Sequence, residues 1–218
     1  MSEVIPLESA LTELAKLENE IRKGGVIVLP IEGSYVYIAD AFNSNAVKRI
    51  HQLRGDDEGT AAGVTIGKIE TLVGIGNNIS EEILKIARKF WPGLLTIYIQ
   101  PNSALAWDLG DGGELGEFAV RIPNSDLLIE LAKNIGPLAT ASAANSGLGA
   151  ARNLDEVGAL AGEINFYVDG GQLPISPLST VIRSKVIGLP ELEVVRVGAI
   201  SLEEIRVEVP EITLVEHS

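Results

Sequence analysis

Residues 139–151 read Ala-Thr-Ala-Ser-Ala-Ala-Asn-Ser-Gly-Leu-Gly-Ala-Ala (ATASAANSGLGAA). Long side chains are nearly absent from this stretch. Backbone N–H groups can therefore approach a ligand closely, and Thr140, Ser142 and Ser146 add hydroxyl groups. Such a segment can cradle a phosphate or carboxylate. It can equally be a close-packed turn in which small residues let two elements touch. Composition alone leaves both readings open.

Working outward from it, apolar spacing and caps define the neighbouring elements. Upstream, Asn124 or Ser125 caps a helix running to about Asn134. Before it come strand-like runs at Phe118–Ile122 and Leu94–Gln100, and a helix capped by Ser80 that stops at Trp91-Pro92-Gly93. Glu81 and Glu82 sit in the first turn of that helix, where free N–H groups favour negative charge. Further upstream lie a small-residue strand in Thr60–Gly67, a helix over Ala46–Leu53 closed by Gly55, and strands at Ser34–Ile38 and Val26–Pro30. Leu11, Leu14, Leu17 and Ile21 recur at helical spacing and predict one helix over Ser9–Lys23, ended by Gly24-Gly25. Downstream, Asn153 caps a short helix, strands follow at Phe166–Val168, Ser179–Ile182 and Leu192–Val197, and Ser201 caps a last short helix.

Strands and helices mix without the strict alternation of a doubly wound sheet. The fold class is α/β, with a twisted, partly antiparallel sheet. At about 150 residues per domain, 218 residues make one domain over 1–206, with 207–218 as a C-terminal tail or edge strand.

Apolar residues are 46% and charged residues 22%, which excludes disorder. Aromatics are only 5%, so Ile, Leu, Val and Ala must build the core. There is no cysteine, which removes disulfides, thiolate metal sites and cysteine nucleophiles. With no signal-like start and no apolar run of about 18 residues, a cytoplasmic protein without a membrane span is expected. The net charge of −13 disfavours RNA or other nucleic acid as a partner. No phosphate-binding GxxxxGK[ST], GxGxxG, HExxH or GxSxG string occurs.

Three arginines stand at element ends: Arg54 before Gly55, Arg121 before Pro123 and Arg196 before Gly198. A guanidinium placed there can grip a carboxylate or phosphate through two parallel hydrogen bonds, or form a surface ion pair. His51 has the chemistry of a general base, although a packed or solvated side chain is the commoner role of a single helical histidine. Gly55-Asp56-Asp57-Glu58 is an acidic turn that reads as a solvated loop or a holder of hydrated Mg²⁺.

Seven segments within residues 8–200 together resemble the YrdC/YciO family. Gly24-Gly25-Val26-Ile27-Val28-Leu29-Pro30 looks like the family's first strand, and Tyr35 with Ala39-Asp40-Ala41 like the next. Trp91-Pro92-Gly93-Leu94-Leu95-Thr96 is similar to WPGPLT, and Ala119-Val120-Arg121-Ile122-Pro123 to VRxP. Pro137 to Ser142 with Ser146-Gly147 resembles PLAATSANxSG. Pro177-Leu178-Ser179-Thr180-Val181 and Val195 to Ile200 resemble PSTV and RxGAI. The resemblance implies a single domain whose twisted mixed sheet and helices surround a large concave cavity. It also implies a reaction: L-threonine, bicarbonate and ATP give threonylcarbamoyl-AMP and pyrophosphate, feeding modification of tRNA adenosine 37. ATP would be a substrate, with Mg²⁺. The partners would be small molecules: a nucleotide, an amino acid and bicarbonate. Some members are described as binding double-stranded RNA.

Carried over by position, Arg121, Thr140 and Ser179 would face the amino acid, and Arg54, Ser142, Asn145 and Arg196 the nucleotide. Where the family has PTDTVYG, this chain has Pro30-Ile31-Glu32-Gly33-Ser34-Tyr35-Val36, without either threonine. Its KxR becomes Arg54-Gly55-Asp56, so a carboxylate replaces a cation, and Mg²⁺ bridging Asp56 to the phosphates is one remedy. The family's loop asparagine is Ala144 here, with Asn145 next door, and a later loop serine is Ala150. Two functions follow. One is a threonylcarbamoyl-AMP synthase-like nucleotidyltransferase, with an altered substrate as one variant. The other is an inactive paralogue that binds a nucleotide, a carbamoyl compound or double-stranded RNA. Oligomeric state is not legible.

Overall fold

The computed structural model describes residues 2–114, 116–158, 164–184 and 192–215. Among them one eleven-stranded mixed sheet forms the frame. Its strands are β1 (Glu3–Pro6), β2 (Ile27–Pro30), β3 (Tyr35–Asp40), β4 (Gly63–Thr65), β5 (Leu95–Ile99), β6 (Phe118–Arg121), β7 (Leu138–Ser142), β8 (Phe166–Asp169), β9 (Thr180–Ser184), β10 (Leu192–Arg196) and β11 (Thr213–Leu214). Their spatial order is β1-β8-β2-β3-β7-β4-β6-β5-β9-β10-β11. The helices are α1 (Leu7–Ala10), α2 (Leu14–Arg22), α3 (Ser44–Arg54), α4 (Glu70–Ile75), α5 (Glu81–Phe90), α6 (Asp126–Ile135) and α7 (Leu202–Glu208).

Local chemistry explains most boundaries. Side chains of Asn43, Ser80, Ser125 and Ser201 accept from backbone N–H groups of the helices they start, which satisfies donors the first turn leaves free. The single helix expected over Ser9–Lys23 is two helices. Ser9 donates to Pro6 O and Thr12 to Ser9 O, and these side-chain bonds compete with the helical ladder at the break. The small-residue run, read as a ligand cradle or a close-packed turn, begins as a strand over Leu138–Ser142 paired to β3 and β4. Strand β1 and helix α4 were not anticipated; β1 is defined by parallel pairing with β8, far along the chain. Asn153 caps a 3-10 turn at Leu154–Glu156. Residues Thr213–Leu214 add to the sheet beside β10, and 216–218 lie outside the described residues.

Alternation along strands decides the two faces. Val64, Leu95, Ile97, Phe118, Val120, Ala139 and Ile182 point into the larger core, with α3, α5 and α7 supplying further apolar residues. On the opposite face, Ile27, Leu29, Val36, Ile38 and Leu138 pack under Leu17 and Ile21 of α2 and Leu127, Leu128 and Leu131 of α6. Those two helices cover only part of that face. The rest of it, over β7, β4, β6 and β5, carries Thr140, Gly63, Arg121, Ala119, Thr96 and Tyr98, all partly exposed. No helix among the described residues is long and apolar enough to cross a membrane.

Candidate functional site

The uncovered part of the sheet is a polar row. Cross-strand pairing puts Thr140 opposite Gly63, Thr65 opposite Arg121, and Thr96 opposite Val181, which pairs in turn with Arg196. Partners across a ladder share a face. Ser142, two residues beyond Thr140, joins that face at the end of β7. A pocket of about 120 Å³ opens in the row, lined by Ile31, Gly63, Val64, Thr65, Thr96, Ala119, Val120, Arg121, Pro123 and Thr140.

Arg121 is fixed by the turn after α5. Its Nε donates to Gly93 O at 2.9 Å, while Gly93 N donates to Ile122 O. Its Nη2 donates to Glu32 Oε1, which also accepts from Asn124 N at 2.7 Å. Burial pushes the guanidinium pKa down, and the charge of Glu32 works against that shift. Arg121 lines the pocket, and a guanidinium carries five N–H donors, more than the two bonds to Gly93 and Glu32 use. The turn Ile31–Ser34 carries both Glu32 and the pocket wall Ile31, and is closed by Ile31 N donating to Ser34 O. Gly33 is required there: a Cβ would lie 2.3 Å from Ser176 Cβ.

At the other end of the row, Thr96 and Ser179 hydroxyls lie 2.9 Å apart. Arg196 donates through Nη2 to both the carbonyl and hydroxyl oxygens of Ser179, at 2.9 and 3.2 Å. The next residue explains why these motifs act together. Thr180 is fully buried; its hydroxyl donates to Ile200 O at 2.6 Å and accepts from Gly198 N and Ile200 N. It thereby pins the turn after β10. Gly198 packs against the backbone of residues 178–179, where a Cβ would lie 2.3 Å from Leu178 O.

The remaining residues form a second group around the end of β7. Arg54 Nη1 donates to Ser142 O and, at 3.2 Å, to Ala144 O. Ser146 N donates to Arg54 O at 2.7 Å. Arg54 therefore braces the small-residue loop through its backbone. Its Nε donates to both oxygens of Asp56, at 3.1 and 2.8 Å. Asp56 Oδ2 also lies 2.9 Å from His51 Nδ1, and the His51 Nε2 faces Leu109 O at 2.9 Å. Both ring nitrogens thus face oxygen atoms. The Asp56 side chain is 2% exposed. Burial alone would raise its pKa, but hydrogen bonds from Arg54 and His51 and the charge of Arg54 outweigh that and hold it below the ordinary carboxylate range. Asn145 and Ser146 are exposed on the loop beyond.

The structure thus gathers Arg121, Thr140, Ser179 and Arg196 along one row and sets Ser142 at its edge. Arg54 reaches the loop from below, and Asn145 sits outside the pocket. Asp56 turns inward to Arg54 and His51 and offers no free carboxylate to a cation; no cluster of three metal-ligating side chains exists among the described residues. Thr65, Thr96 and Glu32 were not singled out from the sequence. Only register and the turn at 31–34 reveal them.

The protein is thus of the α/β class, with one bare polar stretch of sheet, an oriented guanidinium and a hydroxyl-rich rim. Residues 19–198 match the Sua5/YciO/YrdC family, described as "Telomere recombination", and the chain belongs to that family. A Mycobacterium leprae relative is 30% identical over 195 residues, 88% of this chain and 86% of its own. The threonylcarbamoyl-AMP synthase of Pyrococcus abyssi is 34% identical over 200 residues, 89% of this chain and 56% of its own length. The crystal structure of P. abyssi Sua5 complexed with L-threonine superposes with a TM-score of 0.82 at 28% identity, over 98% of this chain and 62% of that one. Escherichia coli YciO matches in fold, with a TM-score of 0.75 at 19% identity, over 94% of this chain and all of that one.

Proposed function

We infer that the chain is a threonylcarbamoyl-AMP synthase-like nucleotidyltransferase that binds a small L-α-amino acid at the Arg121 pocket and ATP along the Ser142–Ser179–Arg196 rim. The observation that carries this reading is Arg121: it is oriented by Gly93 O and Glu32, and it lines a pocket in the polar row together with Thr65, Thr96 and Thr140. Relatives that bear the synthase name, and a threonine-bound Sua5 of the same fold, support it.

In this reading the amino group of threonine and bicarbonate form an N–C bond and release water, giving a carbamate. A carbamate oxygen then attacks the α-phosphorus of ATP. The bond to the β-phosphate oxygen breaks and pyrophosphate leaves with that electron pair. Arg121 holds the carboxylate, so the amine is presented in one orientation. Ser142, Ser179 and Arg196 hold the nucleotide. Magnesium arrives as the counter-ion of ATP, since Asp56 is already bonded to Arg54 and His51. The product would serve threonylcarbamoylation of tRNA.

The test is pyrophosphate release by the full chain with MgATP, L-threonine and bicarbonate. Release that depends on all three supports the reading, and none above a blank, from folded protein, refutes it. One observation favours the second reading, a non-catalytic binding module: the Arg54–Asp56 pair is internally neutralised and leaves the rim with Arg196 as its exposed arginine. In that case ATP binds but pyrophosphate does not form. Double-stranded RNA is a weak candidate for either reading, given the net charge of −13.

A further inference from the structure

We propose that Thr180, fully buried behind the polar row, is a positioning residue for the nucleotide: its hydroxyl locks the end of β10 in the bulged register that turns Arg196 onto the ligand face. This rests on the nucleotide reading of the rim above.

The pairing shows what the bulge does. Leu192, Glu193 and Val194 of β10 pair one for one with Ser184, Arg183 and Ile182 of β9; the register then shifts, and Arg196 pairs with Val181. Val195 is the extra residue. Without the shift, the ladder would set Arg196 opposite Thr180. Thr180 pairs with Leu95, and both are fully buried. Partners across a ladder share a face, so the guanidinium would then enter the core. The added residue places Arg196 beside Val181 and Thr96 instead, on the polar row. A bulge re-aims side chains in this way, and it disrupts the ladder locally.

Thr180 holds the backbone that follows. A hydroxyl has one hydrogen to donate and two lone pairs. Thr180 uses all three: it donates to Ile200 O at 2.6 Å and accepts from Gly198 N and Ile200 N at 2.9 Å each. Between those two amides, Ala199 N donates to Leu178 O at 2.9 Å. The turn after Arg196 is thus bonded to both neighbours of Ser179. Arg196 closes the ring by donating to Ser179 O through Nε at 3.2 Å and Nη2 at 2.9 Å. Gly198 permits the close approach, since a Cβ there would lie 2.3 Å from Leu178 O and 2.6 Å from Ser179 O. Arg196 is exposed. An exposed arginine loses rotamer freedom when it grips a ligand, and one already held loses less.

The experiment is titration calorimetry of the full chain with MgATP and, separately, with L-threonine. The proteins are the wild type, Thr180→Val, Thr180→Ser and Gly198→Ala. The expected result is ATP affinity at least tenfold weaker in Thr180→Val and Gly198→Ala, and within threefold of wild type in Thr180→Ser. Threonine affinity should stay within threefold throughout, whereas a merely structural role would move both ligands together. Amide hydrogen exchange on the wild type without nucleotide should be slow at Gly198 and Ile200, because the turn is held before a ligand arrives. ATP affinity within threefold of wild type in folded Thr180→Val or Gly198→Ala overturns the proposal and leaves the nucleotide reading intact. So does a tenfold loss in Thr180→Ser, or threonine affinity that falls together with ATP affinity. Exchange at Gly198 and Ile200 as fast as at exposed amides overturns it as well, whether or not the variants fold. A wild type that binds no ATP overturns the nucleotide reading itself, and the proposal with it.

Discussion

Replacing Asp56 by alanine should destabilise the protein and loosen the loop that carries Ser142. The carboxylate is 2% exposed and bonded to Arg54 at 2.8 Å and to His51 at 2.9 Å. Its removal leaves Arg54 and His51 donors without their acceptor in a confined place. Removing one partner of a buried ion pair costs about 3–5 kcal/mol. Arg54 and His51 retain 17% and 13% exposure, so water can reach part of the gap and the lower end, ~3 kcal/mol, applies. For a chain of this size each kcal/mol shifts Tm by about 2–4 °C, giving a loss of roughly 6–12 °C. Asp56→Asn keeps an acceptor but no charge, and should lose about half as much, because charge-assisted hydrogen bonds are roughly twice as strong as neutral ones. Asp56→Arg, which from sequence alone restores a cation for phosphates, would set a guanidinium against Arg54 and His51 and should be the most destabilised of the three.

The assay is urea unfolding of wild type and variants at pH 7, then at falling pH. The native Asp56 pKa is below its ordinary value of 3.8, so its contribution is complete above that pH and is lost as pH falls through the native value. The gap between wild type and Asp56→Asn should therefore hold from pH 7 to about 5 and close below about 4. A double-mutant cycle with Arg54→Ala should show coupling above about 1 kcal/mol. An Asp56→Ala loss below about 1 kcal/mol, or a gap that widens in acid, refutes the assignment of Asp56 as an internal clamp.

Two further outcomes follow. Arg121→Met combined with Glu32→Gln removes the buried pair together and keeps the fold, while threonine affinity falls ~100-fold, the equivalent of about 3 kcal/mol for two charged hydrogen bonds; calorimetry on folded protein checks it, and unchanged affinity sinks the role given to Arg121. Thr180→Val leaves Gly198 N, Ile200 N and Ile200 O without their shared hydroxyl and costs ~3 kcal/mol by urea unfolding, with Thr180→Ser recovering most of it.

The sequence by itself determined what is local or carried by short strings. Caps at Ser80, Ser125 and Ser201 need only a side-chain oxygen and the next turn of backbone, so they are readable residue by residue. The apolar runs of β2, β3, β5 and β6 are likewise visible as strands, and Arg121, Ser142, Ser179 and Arg196 could be named because each sits inside a specific string. Strand β1 and the break between α1 and α2 were not readable, because distant pairing with β8 and competing side-chain bonds decide them. Tertiary structure alone decided which neighbours these side chains meet. Thr65 enters the site through register with Arg121, and a slip of one residue would turn it into the core. Asp56 reads as a charge beside phosphates but is an internal partner of Arg54 and His51, because α3 and the loop at 108–110 fold around it. Whether an ionic side chain faces a ligand or its own protein depends on contacts between segments far apart in the chain, and no local pattern encodes them.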